Sequence, residues 1–389
     1  MSVMMEYLSE LIHAQLDETK PGSIPEGIQI EELEALAHRN HMEYLLLGAI
    51  LRTNLDEAWK FRLKPYVMQS AMRSLTQIGC LKEFEDRCEK EGIFHQLLKG
   101  SVLKGLYPSP ELREMSDIDV MIYDEDLGRA KIIIEDMGFT LYKSVKHHDI
   151  YRKTPFLVME LHNALYDKDV DKVQYEYFKS RKSLRVKEGR KYALQFGIED
   201  FYVYMIAHIA KHFYETGCGI RNIMDIYMYR RVYEPTWDKD IIEKELSLCN
   251  LSAFEGRIYT LSKVWLGGQE SDPFSEALFY YMSDSGIYGK GENGVWGKFA
   301  MHNQIELKNY KVYAKRWYYF PPKTYMESDY PWLKRTPFLL FVAWGIRAVH
   351  GLLSKEGREK RRMLLSIKSE EVSNINHIYK NMKLNFKKD

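Results

Sequence analysis

The stretch Ser116-Asp117-Ile118-Asp119-Val120-Met121-Ile122 places two aspartates at the start of an apolar run. Successive side chains of a strand point to opposite faces, so Asp117 and Asp119 would share one face while Ile118 and Val120 enter the core. Two carboxylates held side by side repel each other unless a cation lies between them. Hard oxygen ligands suit Mg²⁺, which commonly completes its coordination with substrate phosphates and water. The stretch therefore predicts a strand that carries a metal–phosphate site.

A Gly-Ser turn lies upstream of this strand, in Lys99-Gly100-Ser101. Backbone N–H groups beside Gly100 could approach a phosphate closely, because glycine has no side chain in the way. An Asp-x-Asp pair alone is common in turns and at strand ends. The Gly-Ser turn together with the Asp-x-Asp pair therefore indicates a metal–phosphate site more strongly than the pair alone. Downstream, residues 127–137 predict a helix that stops at Gly138, a favoured residue just past a helix end.

Taken together, these residues resemble the signature of the polymerase-beta-like nucleotidyltransferase fold superfamily: a Gly-Ser pair, a spacer, then Ser-Asp-Ile-Asp and apolar residues. A longer pattern resembles a bacterial branch of uncharacterised nucleotidyltransferases, and it comprises Leu98-Lys99-Gly100, Tyr107-Pro108, Arg113 and Asp117-Ile118-Asp119. The resemblance implies an α+β fold, with a small mixed sheet flanked by helices. It also implies a third acidic residue on a later strand of that sheet.

The best candidate for the third acidic residue is Glu160. Thr154-Pro155 is a turn signal between two extended tracts, 148–153 and 156–163. In the second tract Glu160 and His162 share a face, since apolar residues alternate with them. A glutamate within a strand more often faces solvent, and His162 could be an ordinary polar edge residue. The upstream motif favours the functional interpretation of both.

The resemblance implies nucleotidyl transfer, in which an acceptor hydroxyl attacks the α-phosphorus of a nucleoside triphosphate and pyrophosphate leaves. A pair of Mg²⁺ ions can stabilise the negative charge on the attacking and leaving oxygens. Asp117 and Asp119 would hold both ions, and Glu160 would complete one shell and draw or orient the acceptor's proton. The phosphate-binding candidates are Lys99, Gly100, Ser101, Lys104 and Arg113, and His162 is a further candidate for a contact with the nucleotide.

A later segment, residues 199–214, predicts a helix with His208 and His212 one turn apart on an aromatic stripe. Two histidines at this spacing can bind zinc, but position 209 is isoleucine, so the His-Glu-x-x-His metalloprotease pattern is absent. A contact with the nucleotide or the acceptor is the favoured interpretation, and the resemblance implies the same placement.

The next predicted helix, residues 219–231, holds Arg221 and Asp225 one turn apart. At this spacing the two side chains can pair with each other on the helix surface. The resemblance implies instead that both line the cleft. The sequence leaves these two interpretations open.

Composition limits the class of protein. Lys and Arg number 56 against 55 Asp and Glu, a net charge of +1, which argues against a dedicated nucleic-acid coat protein but allows a local basic patch. The four cysteines are widely spaced, without a Cys-x-x-Cys motif, so neither a zinc ribbon nor a disulfide scaffold is indicated. The first residues lack the basic start of a signal peptide. We expect a cytoplasmic protein.

A length of 389 residues predicts more than one domain. We expect an N-terminal helical region (1–90), a nucleotidyltransferase core (91–195), a helical domain closing the cleft (196–300) and a C-terminal aromatic and basic helical region (301–389). The apolar tract 337–353 is too short and too interrupted to span a membrane and predicts a buried or docked amphipathic helix. The basic cluster 355–362 could contact an anionic membrane surface or RNA, although a solvated helix end is favoured.

The sequence thus predicts a Mg²⁺-dependent nucleotidyltransferase that uses a nucleoside triphosphate, with ATP favoured. Its acceptor is open and could be a small molecule, a glycan precursor, a protein or an RNA. The alternative is a catalytically silent nucleotide-binding or regulatory module with the same fold. The intact carboxylates Asp117, Asp119 and Glu160 argue against this alternative, because a decayed site tends to lose one of them.

Overall fold

The computed structural model describes residues 1–145, 147–167, 172–180, 184–291, 330–354 and 369–384, with further single positions and short stretches between 293 and 357. The chain divides into two compact units. The larger consists mainly of Met1–Lys211 and Cys218–Ile287, and the smaller of His212–Gly217 and the described part of Tyr288–Lys383.

The chain before the sheet is helical, with α1 at Val3–Leu16, α2 at Ile30–Asn40, a π-helical turn at Glu43–Leu47, α3 at Gly48–Ile50 and α4 at Glu57–Glu91. Asp56 caps the start of helix α4, because its carboxylate accepts a 2.9 Å hydrogen bond from the Trp59 N–H. The helix ends at Gly92, which adopts φ 67° and so allows the left-handed cap.

The sheet has seven strands: β1 at His95–Leu97, β2 at Ile118–Ile122, β3 at Thr140–Val145, β4 at His148–Lys153, β5 at Leu157–His162, β6 at Leu184–Val186 and β7 at Ala193–Phe196. Their spatial order is β3-β4-β5-β2-β1-β7-β6. Strand β2 runs parallel to β5, and β1 runs parallel to β7, while the other neighbours are antiparallel. The predicted α+β class with a mixed sheet is confirmed.

Further helices are α5 at Gly100–Leu103, α6 at Leu127–Asp136, α7 at Lys172–Ser180, α8 at Ile198–Thr216, α9 at Arg221–Tyr233, α10 at Lys239–Leu248, α11 at Ser252–Trp265 and α12 at Pro273–Ser285. The predicted helices 127–137, 199–214 and 219–231 correspond to α6, α8 and α9. The bounds differ by at most two residues because caps and end turns decide them.

One face of the sheet is apolar and lies beneath two helices. Ile118, Val120 and Ile122 of β2 join Met159 and Leu161 of β5 in one buried cluster. The same cluster includes side chains of α4 and α6, so these helices cover that face. Alternation along the strands then sends the intervening polar residues to the opposite face.

The smaller unit contains 3₁₀ turns at Pro331–Lys334 and Pro337–Leu339 and the helices α13 at Leu340–Leu353 and α14 at Ser369–Met382. The tract 337–353 is helical as predicted, but it is not a buried helix: Phe341 is 65% exposed and Leu353 75% exposed. Its buried contact is limited because the described core beside it consists of Met326, Leu333 and Ala343.

None of the described helices combines the length and the apolar composition that a membrane crossing requires. The basic cluster 355–362, apart from Gly357, lies outside the described residues, and so do 11 of the 23 residues in the aromatic and basic stretch 310–332. The predictions made for these segments therefore stay predictions.

Replacing Phe84 with alanine tests the packing of α4 on the sheet. Phe84 is fully buried, so Phe84→Ala is expected to lower the free energy of unfolding by about 3–5 kcal/mol in urea denaturation. Phe61 lies on the same helix and is 85% exposed, so Phe61→Ala should change it by about 0.5 kcal/mol or less. Equal losses in the two variants would contradict the assigned burial.

Candidate active site

The parallel pairing of β2 with β5 brings the predicted carboxylates together. In the register of this pair Asp119 lies opposite Glu160. Asp117 directly precedes β2, two residues before Asp119, and alternation places it on the same face. Asp119 is only 2% exposed. The apolar face beneath these strands therefore fixes three carboxylates on the other side.

Asp119 is held by two hydrogen-bond donors on the same oxygen. Its Oδ1 accepts hydrogen bonds from Lys99 Nζ at 2.7 Å and from His162 Nε2 at 2.8 Å. Burial alone would raise the pKa of Asp119, but Lys99 and His162 outweigh it and the pKa is lowered. The same contact raises the pKa of Lys99 against the effect of burial. Both groups are ionised at neutral pH.

Glu160 shares His162 with Asp119, since its Oε2 lies 3.4 Å from His162 Nε2. Burial opposes ionisation of Glu160, but the hydrogen bond from His162 lowers its pKa overall. Both carboxylates in turn raise the pKa of His162, although burial acts against them. His162 therefore links the two carboxylates from the end of β5.

The pKa of Asp117 shifts in the opposite direction to those of Asp119 and Glu160. Burial raises its pKa to about 7, and the negative charge of Asp119 adds to the effect. This is the repulsion that the sequence predicted for two neighbouring carboxylates. A divalent cation between them would relieve it, and carboxylate oxygens are the donors that Mg²⁺ prefers. Asp119, Glu160 and His162 each have a potential ligand atom within 4.8 Å of the other two. The carboxylate oxygens of Asp119 and Glu160 fit the implied metal, while His162 Nε2 already donates to Asp119.

The Gly-Ser turn forms the start of α5. A Cβ atom at Gly100 would lie 3.0 Å from Cγ and Sδ of Met115 and 3.2 Å from a guanidinium nitrogen of Arg113. A larger residue at this position would therefore require the Met115 or Arg113 side chain to shift by a few tenths of an ångström. The Ser101 Oγ is buried and has no hydrogen-bond partner among the described residues. A hydroxyl in this state is available to a bound ligand.

Lys104 lies in the interior rather than beside Asp119. Its Nζ donates to the Pro110 carbonyl at 2.8 Å and contacts Ser74 Oγ on α4. Burial lowers the pKa of Lys104 to about 7, and the nearby positive charge of Arg113 acts in the same direction. The phosphate contact of Lys104 stays a prediction. In this structure its amine has two protein partners, the Pro110 carbonyl and Ser74 Oγ.

Arg113 and Asp225 form a buried ion pair. Arg113 donates from Nε and from one terminal nitrogen to the two Asp225 oxygens, at 2.8 and 2.7 Å. Tyr107 donates to Asp225 Oδ1 at 2.8 Å. The alternative in which Arg221 pairs with Asp225 is therefore wrong as the main contact. Sequence spacing missed it because Arg113 reaches α9 from the loop before β2.

Arg221 instead donates to the main-chain carbonyl of Glu114 at 2.9 Å. Burial lowers its pKa to about 10, and the adjacent Arg113 contributes to the shift. Its Nε is buried without a hydrogen-bond partner among the described residues. Arg221 also stabilises the ionised form of Asp117, so its positive charge acts near the carboxylates.

The two histidines of α8 have different surroundings. His208 lies one turn from Tyr204, with ring centroids 6.2 Å apart, and Tyr204 interacts electrostatically with Lys99 and Asp119. His208 is in the larger unit, beside a tyrosine that interacts with Lys99 and Asp119. His212 belongs to the smaller unit.

Two residues of this region, His147 and His148, were not found from the sequence. His148 lies opposite His162 in the pairing of β4 with β5, and its Nε2 is 3.7 Å from Glu160 Oε2. Burial lowers the pKa of His147 to about 4, with Lys211 contributing. The available signal was the His-His pair at the start of the strand that precedes the Glu160 strand.

A mixed sheet with strand-borne carboxylates beside a Gly-Ser turn defines a nucleotidyltransferase fold. The chain belongs to the family described as uncharacterised nucleotidyltransferase, whose model matches residues 26–267. The family predicted from the motif is confirmed.

Two solved structures show weaker similarity. The crystal structure of ANT(2″)-Ia in complex with adenylyl-2″-tobramycin is 14% identical, with a TM-score of 0.26 over 50% of this chain and 98% of that chain. The solution structure of the antibiotic-resistance factor ANT(2″)-Ia is 13% identical, with a TM-score of 0.25 over 50% of this chain and 91% of that chain. No curated protein is significantly similar in sequence.

Substituting Asp225 tests the buried ion pair. Asp225→Asn leaves the Arg113 guanidinium, 7% exposed, without its counter-charge, and should lower the free energy of unfolding by about 3–5 kcal/mol. Glu83→Gln breaks an ion pair with Arg87 in which both side chains are at least 41% exposed, and should cost less than about 1 kcal/mol. Chemical denaturation of both variants provides the measurement. If Asp225→Asn lowered the free energy of unfolding by no more than Glu83→Gln does, the buried ion pair would be refuted.

Lys104 gives a pH prediction. Because its pKa falls to about 7 in the folded chain, the unfolded chain binds the Lys104 proton more tightly between about pH 7 and 10. Stability contributed by neutral Lys104 therefore rises with pH in this window, by about 1.4 kcal/mol per pH unit at most. Lys104→Met should remove this slope. Denaturation midpoints of both proteins from pH 6 to 10 provide the measurement, and parallel curves would contradict the depressed pKa.

Proposed function

We propose that this protein is a Mg²⁺-dependent nucleotidyltransferase that moves a nucleoside monophosphate from a nucleoside triphosphate, with ATP favoured, onto a hydroxyl or similar group of an acceptor. The observation that carries the proposal is the register of β2 with β5. It sets Asp119 opposite Glu160, with Asp117 on the same face. Membership of the family supports nucleotidyl transfer in general.

The three carboxylates would hold the metal ions, with Asp117 and Asp119 shared between them and Glu160 completing one shell. Bound Mg²⁺ would supply stabilisation of the negative charge that develops on the attacking and leaving oxygens. The raised pKa of Asp117 supports this role, because the carboxylate gains most from a cation where its own neighbours disfavour its charge.

In the reaction the acceptor oxygen forms a bond to the α-phosphorus, while the bond from that phosphorus to the β-phosphate oxygen breaks and pyrophosphate leaves. Glu160 accepts the proton of the acceptor hydroxyl. Its lowered pKa supports this assignment, since a base must be ionised before the proton is transferred. His162, bonded to both carboxylates, fixes the position of Glu160 relative to Asp119.

Lys99 would exchange Asp119 for phosphate oxygens when the nucleotide and metal bind. Its side chain is 21% exposed, whereas that of Asp119 is 3% exposed, so the ammonium can be reached from solvent. The unpartnered Oγ of Ser101, two residues further, would donate to the same phosphates. The Gly100 backbone would lie beside them.

The other predicted site residues divide into those that are bonded within the interior and those that stay predicted contacts of a ligand. Lys104 and Arg113 are bonded within the interior, so we assign them to holding the loop before β2 in place. Asp225 holds Arg113 from α9. Arg221, His208 and His212 stay predicted contacts of the nucleotide or the acceptor.

The carboxylates are tested with Asp119→Asn and Glu160→Gln. Each chain is incubated with Mg²⁺, a fractionated cell extract as acceptor source and each nucleoside triphosphate in turn, labelled at the α- or the γ-phosphate. The native chain should transfer the α-label and not the γ-label. Asp119→Asn should reduce the transfer to background, and Glu160→Gln should reduce it by on the order of 10²-fold or more.

Asp136→Asn is the matched control, because Asp136 lies on the exposed side of α6. It should keep the native rate, and all variants should keep the native circular dichroism spectrum. Full activity of Asp119→Asn would refute the proposed site. Mg²⁺-dependent binding of a nucleotide without any transfer, in every extract fraction, would favour the silent module instead.

A further inference from the structure

Three histidines form a cluster beside the carboxylates that the proposed transfer reaction does not use as a unit. One ring nitrogen of each of His147, His148 and His162 lies within 4.8 Å of one nitrogen of both others. His148 opens β4 and lies opposite His162 at the end of β5, and His147 directly precedes β4. The pairing of β4 with β5 therefore fixes this cluster at one end of the two strands.

Each of the three rings has a buried nitrogen without a partner. The Nδ1 atoms of His147, His148 and His162 make no hydrogen bond to any described residue. A buried polar atom without a partner is unfavourable, and native proteins seldom retain several together. His162 itself is only 5% exposed. Three such atoms on rings that approach one another this closely indicate a ligand that the rings share.

The hydrogen bonds of His162 define which ligand fits. Its Nε2 lies 2.8 Å from Asp119 Oδ1 and donates to it, because a carboxylate oxygen is an acceptor. In the neutral imidazole the lone pair is then on Nδ1, the atom without a partner. Metal-binding histidines characteristically donate their other ring N–H to a carboxylate in this way, which fixes the tautomer and the ring orientation.

His148 repeats the arrangement in a looser form. Its Nε2 faces Glu160 Oε2 at 3.7 Å, while its Nδ1 has no partner. The rings of His148 and His162 are stacked, with centroids 5.0 Å apart and planes inclined by 27°. The Nε2 atoms of His162 and His148 thus face the carboxylates of Asp119 and Glu160, on the ring edge away from Nδ1. The two negative charges would offset the charge of a bound cation.

We propose that His147, His148 and His162 bind one transition-metal ion of the Zn²⁺ type, separate in chemistry from the Mg²⁺ held by the carboxylates. Imidazole suits Zn²⁺, Cu²⁺ and Ni²⁺, whereas Mg²⁺ prefers oxygen. Three histidines leave the fourth tetrahedral position open to water or a substrate group. Zn–N bonds of 2.0–2.1 Å place the nitrogens about 3.3 Å apart, so the rings close in by on the order of 1 Å when the ion binds.

The bound ion keeps the proton of His162 on Nε2 and therefore preserves its hydrogen bond to Asp119. The histidine site and the carboxylate site share this one ring. The inference does not depend on the proposed function, since it concerns binding of a metal and not turnover.

The test is calorimetric titration of the full chain, freed of metal by a chelator, with ZnCl₂ in the presence of excess MgCl₂. One ion per chain is expected to bind. His147→Ala and His148→Ala should each weaken binding by more than about 10-fold. His350→Ala is the matched control, because His350 is exposed on α13, and should bind Zn²⁺ like the native chain. Native affinity in both cluster variants, or no stoichiometric binding by the native chain, would overturn the proposal.

Titration with CoCl₂ gives a second measurement on the unmodified protein, in case a variant does not fold. A nitrogen-rich site of low coordination number should give a visible absorption band that one equivalent of ZnCl₂ abolishes; a spectrum like that of aqueous Co²⁺ counts against the cluster. Transfer of the α-label is measured on the same preparations. Zn²⁺ binding without transfer would contradict the proposed function alone, and transfer without histidine-dependent Zn²⁺ binding would contradict this inference alone.

Discussion

The buried negative charge of Asp119 is the constraint on which the rest of the site depends. A carboxylate that is 2% exposed stays ionised only where positive or hydrogen-bonding groups replace water. Lys99 and His162 do so on a single oxygen. The apolar underside of the sheet, closed by α4 and α6, prevents Asp119 from turning away towards solvent. Position and ionisation of this group therefore follow from the same packing.

The two carboxyl groups beside Asp119, those of Asp117 and Glu160, differ in how readily they ionise. Asp117 is pushed towards its protonated form, while Glu160 is kept ionised through His162. Such a difference between adjacent carboxyl groups is characteristic of sites in which a cation, a proton or both are exchanged. The resting contact between Lys99 and Asp119 stabilises the folded chain when no ligand is bound. Because of this contact, a metal ion that binds Asp119 must compete with the Lys99 ammonium for its carboxylate.

Strand periodicity predicted β2 and its two faces, because alternation of apolar and polar residues encodes them directly. The resemblance carried by the Gly-Ser…Asp-Ile-Asp order implied a third carboxylate on a later strand, and alternation within that strand favoured Glu160. The contacts of Arg113, Lys104 and Arg221 could not be predicted in the same way. Asp225 is 112 positions from Arg113 in sequence, and Lys104 reaches a helix 30 positions earlier. Such contacts arise from three-dimensional packing, and a single sequence carries no local signal for them.

Gly100 shows why a motif and a mechanism need not coincide. A Cβ atom here would lie 3.0 Å from Met115 and 3.2 Å from a guanidinium nitrogen of Arg113, so a larger residue would force one of these side chains to shift. The position is therefore constrained by packing as well as by any contact with phosphate. A chain that had lost its activity would be free to change its carboxylates, whereas the packing around Gly100 would still favour glycine. The glycine thus reports the fold, and the carboxylates report whether the chemistry has been kept.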